Sequence, residues 1–137
     1  MKKLIDTAFG YAAAALTCGV FYREFTKYHA FTGRTTLGFA HVHLLVLGTL
    51  LLLLLAAFAL HTDLTAQPQF RRFFVLYQIA LPATVVMLLV RGVLQVLGTP
   101  LTRGCDAAIS GIAGIAHILM TICFVLLYLA MRRMKKQ

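Results

Sequence analysis

Apolar residues gather into four long stretches along the chain: Leu4–Tyr22, Thr36–Leu60, Phe73–Leu97 and Ala107–Met131. A helix crossing a bilayer needs about 20 residues at ~1.5 Å each, and all four are long enough. The second contains LLVLGTLLLLLLAAFAL, whose one polar group is Thr49. A helix apolar all round has no solvated face, so it belongs in lipid or a large core. Polar, turn-forming segments separate the stretches: REFTKYHAFTGRTT, HTDLTAQPQF with Pro68 as breaker, and GTPLTRGCD, in which Asp106 can cap the fourth helix. The pattern predicts an all-α membrane protein, a single four-helix transmembrane domain over residues 1–137.

Composition agrees. The chain is 61% apolar and 12% charged, against about 45–50% and roughly 25% for a soluble domain. The first stretch is read as a helix and not a secretory signal, because Asp6 intrudes on the basic head and no A-x-A site follows. Cys18, Cys105 and Cys123 have no metal-ligand spacing and form no disulfide framework.

A net charge of +9 would suit nucleic acid, but its placement reads as topology. With an inside N-terminus, Lys2, Lys3, Arg71, Arg72, Arg132, Arg133, Lys135 and Lys136 face the cytoplasm; Arg23, Lys27, Arg34, Arg91 and Arg103 face outward. The bias predicts N-in and C-in, with the lipid bilayer, and no nucleic acid, as partner. The basic tail would rest on anionic head groups.

Polar groups at membrane depth are costly and mark function. Here they share the outer half. Arg23 and Glu24 end the first helix. His41 and His43 lie ~7–10 Å along the second, Arg91 lies in the outer part of the third, and His117 lies ~15 Å along the fourth. His61 sits at the opposite end and reads as a loop residue. His41 and His43, two residues apart, point about 200° apart around a helix and would serve two flanks. Ser110, Gly114 and His117 share a face of the fourth helix, where small residues admit a helix or a flat cofactor. Imidazole is an axial ligand for haem iron, and interfacial arginines pair with propionates. The candidate haem- and iron-binding residues are therefore His41, His43 and His117, with Arg23 and Arg91 for propionates. The bland alternative makes the histidines interhelical hydrogen bonds and lets the arginines snorkel.

These residues resemble a known family. FAHVHLLVLG, Phe39–Gly48, is similar to the His-x-His helix of the haem-copper oxidase catalytic subunit, and GVFYREF, Gly19–Phe25, to the end of that family's first helix. Arg91 is similar in place to the family's propionate-binding arginines. The whole chain also looks like an uncharacterised family of small four-helix bacterial membrane proteins. The oxidase subunit has three arcs of four helices, so the resemblance implies that this chain is one arc. It further implies a homo-oligomer, a trimer that rebuilds the ring ahead of a dimer, in a bacterial inner membrane. Haem b would then lie between neighbours, held by His43 of one chain and His41 of the next, with His117 as the rival ligand. The family's further copper histidines and tyrosine are missing, and Glu24 is the one acid near the site. These departures argue against proton-pumping oxygen reduction.

The leading expectation is a haem-b protein for electron transfer or for binding oxygen or nitric oxide, with a quinol or another redox partner. Two alternatives stand beside it: a non-enzymatic scaffold or small-solute permeation subunit, and a metal-ion site of His41, His43 and His117 without haem.

Overall fold

A computed structural model of the protein describes residues 1–135; Lys136, counted above among the cytoplasmic cations, lies outside the described residues. Four helices long and apolar enough to cross a membrane account for nearly all of them: α1 (Lys2–Tyr28), α2 (Leu37–Ala59), α3 (Pro68–Leu97) and α4 (Arg103–Arg133). The end of the molecule carrying Tyr28, Leu37, Leu97 and Arg103 is called the upper end here.

Three helices run past the apolar stretches that announce them. Hydropathy marks where lipid ends, whereas a helix ends where the backbone is broken or capped. α1 continues through Arg23 and Lys27 to Tyr28, and the chain turns at Ala30, whose φ is 48°. α3 starts at Pro68, where a missing N–H costs nothing, and stops at Gly98 in the left-handed conformation with φ 61°. The fourth helix corrects the sequence reading: Asp106 is not its cap. Thr102 is, with its hydroxyl accepting from the Cys105 N–H at 3.3 Å, and Asp106 falls in the first turn.

α2 is not uniform. Residues Leu37–His43 and Leu51–Ala59 are α-helical, and Leu44–Leu50 between them form a π-helical turn that begins directly after His43. Neighbours hold this wider turn. The Tyr77 hydroxyl donates to the Leu47 carbonyl at 2.9 Å, and the Thr49 hydroxyl to the Leu44 carbonyl at 3.3 Å. Gly48 lies against Tyr11, so close that a Cβ would sit 2.7 Å from that residue's Cβ and Cγ. A π turn without such support would waste backbone hydrogen-bond geometry.

The helices pack in chain order, α1 on α2, α2 on α3 and α3 on α4; α4 forms no comparable seam with α1 or α2. α1 also reaches α3, where the Tyr11 hydroxyl donates to Gln78 Oε1 at 2.9 Å and Lys3 lies over the Phe74 ring. The core runs through the lower and middle levels, around Phe70, Phe73, Tyr77 and Leu81 of α3. α4 joins it only from Ala116 downward, through Met120, Cys123, Leu127 and Ala130. Its upper half is largely exposed, and α2 and α4, both packed on α3, form no seam with each other; the gap between them above Tyr77 is the α2–α4 groove.

Candidate functional site

The groove is bracketed by two rungs that cross α3. In the upper rung, α3 is tied to α2 by the Thr36 hydroxyl donating to the Leu88 carbonyl at 2.8 Å and the Thr35 hydroxyl to the Gly92 carbonyl at 3.0 Å. Gly92 is required there, because a Cβ would lie 2.6 Å from the Leu37 nitrogen. The same level of α3 is tied to α4 by Arg91, which donates to Asp106 Oδ1 at 3.0 Å and to Ser110 Oγ at 2.7 Å. In the lower rung, Tyr77 bonds the Leu47 carbonyl of α2 and meets Phe124 of α4 edge-on, ring centroids 6.5 Å apart.

All three sequence-nominated histidines fall between these rungs along the chain: His41 and His43 between Thr36 and Leu47, and His117 between Ser110 and Phe124. Around α2, His41 faces α1 and His43 the opposite flank, as the 200° offset requires. Around α4, His117 shares its stripe with Asp106, Ser110 and Phe124, the residues that meet α3. His43 and His117 are thus carried by the two helices that pack on α3 without a seam of their own, and Arg91 ties α3 to α4 above His117.

The imidazoles are oriented alike. His43 Nδ1 is 2.8 Å from the Phe39 carbonyl oxygen, and His117 Nδ1 is 2.8 Å from the Ala113 carbonyl oxygen. A carbonyl only accepts, so each Nδ1 carries the proton and donates it. Each Nε2 is left with its lone pair. A second hydrogen bond that fixes tautomer and ring direction is the usual support for a metal-ligating histidine.

The other nominated residues go elsewhere. His41 packs at the α1–α2 seam, beside Gly19 and stacked on Tyr22 with centroids 6.4 Å apart; its Nδ1 is buried without a partner. Arg23 pairs with its neighbour Glu24 at 2.8 Å, its side chain 76% exposed. It lies in the last turns of α1, on the flank of α2 away from the groove. Arg91 is held more firmly, its side chain 31% exposed. His61 is in the turn at the lower end, as the sequence suggests. Gly111 and Gly114 have nothing of this chain within 4 Å of a Cβ position, so the small stripe of α4 packs against no helix of its own chain. Among the described residues, no three His, Cys, Asp or Glu side chains converge on a metal-ion site. His41, His43 and His117 of one chain therefore do not assemble the haem-free metal site.

Sequence reasoning passed over Tyr77 and Gln95. Tyr77 is a tyrosine at membrane depth, itself a polar signal, and its hydroxyl proves to support the π turn. Gln95 accepts from the Thr36 backbone N–H at 2.8 Å, a long-range contact without a sequence signature.

These features define the class: an all-α chain of four membrane-length helices. The chain belongs to the family described as "Protein of unknown function (DUF2871)", whose model matches residues 1–134. No curated protein and no solved structure matches it.

Proposed function

We propose that the chain is a multi-pass protein of the bacterial inner membrane, N-in and C-in, that binds haem b in the α2–α4 groove. His43 and His117 would hold its iron through Nε2, and Arg91 would pair with a propionate at the upper, outer end. The observation that carries this reading is the shared Nδ1 arrangement, which leaves the coordinating nitrogen of both rings free. α2 and α4 both pack on α3 and form no seam with each other, which leaves the space between them to a ligand.

This assignment chooses between the two second ligands that the sequence left open. His41, packed beside Gly19 and stacked on Tyr22 at the α1–α2 seam, faces away from α4 and is less suited than His117 to share an iron with His43. The oxidase resemblance remains as part of the proposal. It is supported by the chain-order packing of four helices and by histidines on the second of them. A ring of three copies is the assembly it implies, and the unpaired upper half of α4 leaves a flank for a neighbour.

Haem with two imidazole ligands supplies one-electron transfer, its iron being closed to gases. The protein's own part is to fix both imidazoles, exclude water from the groove and offset propionate charge with Arg91. A quinol or another redox carrier is the partner that such a role requires. The test is the absorption spectrum of protein purified in mild detergent, oxidised and dithionite-reduced. A sharp Soret band with split visible bands on reduction is expected. Colourless protein from haem-supplied cells would refute the proposal and leave the histidines as helix glue in a scaffold or permeation subunit.

A further inference from the structure

The upper end carries a second feature that the groove does not use. A depression of about 660 Å³ lies where the end of α1 meets the start of α2 and the end of α3, lined by Tyr22, Arg34, His41 and Gln95. Arg34, His41 and Gln95 supply donors to it, beside the Thr35 and Thr36 hydroxyls, whose protons go to α3 carbonyls. Arg34 has no carboxylate partner, because the ion pairs among the described residues are Arg23–Glu24 and Arg91–Asp106. No Asp or Glu lines the depression. Gln95 spends its Oε1 on the Thr36 backbone N–H, which leaves its amide N–H groups to donate.

His41 completes the set. Its Nδ1 is buried and unpartnered. A buried N–H without an acceptor is rarer and costlier than an unfilled lone pair, so the proton belongs on Nε2. The ring then presents an N–H donor. This is the opposite tautomer to His43, and it separates the work of two histidines that are neighbours in sequence.

We infer that Arg34, His41 and Gln95 form a site for a phosphate group, with an anionic phospholipid as its occupant. One permanent positive charge and several N–H donors with no acid match the oxygens of a phosphodiester. The lipid source follows from what flanks the site. Phe39 and Val42 are also in its lining, and they are 58% and 44% exposed along α2, giving acyl chains an apolar track. Inorganic phosphate shares the head-group chemistry but would gain nothing from that track. The inference stands whether or not the groove holds haem.

Native mass spectrometry in nonionic detergent tests it, with phosphatidylglycerol as the probe and inorganic phosphate as competitor. The wild-type chain is expected to retain one phosphatidylglycerol. Arg34→Gln, an exposed position with no packing role, is expected to weaken retention by about tenfold, the order expected for a charge-assisted hydrogen bond. His41→Phe keeps the stack on Tyr22 and should also weaken it, whereas Arg103→Gln, outside the site, should not. Inorganic phosphate that binds alone with the same Arg34 dependence would support the phosphate site and make its source soluble. Equal lipid retention by wild type and Arg34→Gln, or equal loss in Arg103→Gln, would overturn the inference.

Discussion

His43 and His117, on helices that share no substantial seam, hold their Nδ1 atoms identically, each 2.8 Å from the carbonyl oxygen four residues earlier. A lone histidine in lipid could satisfy itself this way. Two doing so, on the two helices that pack on α3 without a seam of their own, leave both Nε2 atoms free, and the proposed haem site uses that pair.

Arg91 is expected to matter and Arg23 not. Arg91→Leu removes the positive charge at the mouth of the groove and its bonds to Asp106 and Ser110. Loss of a cation favours ferric over ferrous haem, so the midpoint potential should fall. A charge ~10 Å away at an effective dielectric of about 20 contributes about 1–2 kcal/mol. At 59 mV per tenfold for one electron, the fall is on the order of tens of millivolts. Redox titration of both variants checks this; an equal fall in Arg23→Leu would show that the two arginines act alike.

Tyr77→Phe should destabilise the fold by about 1 kcal/mol without changing the visible spectrum. The ring is fully buried and would stay so, while the Leu47 carbonyl in the π turn loses its donor. Thermal unfolding in detergent, followed by circular dichroism, reads the stability, and the Soret position reads the site. A changed Soret band at unchanged stability would mean that the hydroxyl acts on the cofactor.

Two glycine substitutions separate packing within the chain from packing outside it. Gly48→Ala forces a methyl into Tyr11 and should cost about 1–3 kcal/mol, as overpacking does. Gly111→Ala meets nothing of its own chain and should be neutral or slightly stabilising through helix propensity. Unfolding midpoints compare them. A large loss in Gly111→Ala would reveal a neighbour on that face.

The all-helical fold was legible because lipid-length apolar runs leave few other structures open. The opposition of His41 and His43 was legible too, since it follows from helical pitch alone. What the sequence hid depended on tertiary contact. The helix ends lay in polar segments where hydropathy is silent, so Thr102 and not Asp106 caps α4. The π turn rests on Tyr11 and Tyr77 from other helices. Arg23 and Arg91 looked equivalent as interfacial cations, yet one pairs with its sequence neighbour and the other bridges two helices. The proposed pairing of His43 with His117 rests on the order of packing, in which α2 and α4 each pack on α3 and share no seam.

The most direct measurement is the dithionite-reduced spectrum before and after carbon monoxide, for wild type and His117→Ala. With both His43 and His117 on the iron, the wild-type spectrum should stay unchanged, and His117→Ala should bind carbon monoxide with a shifted Soret band. Carbon monoxide binding by the wild type, or no difference between the two proteins, would contradict ligation of one iron by this pair.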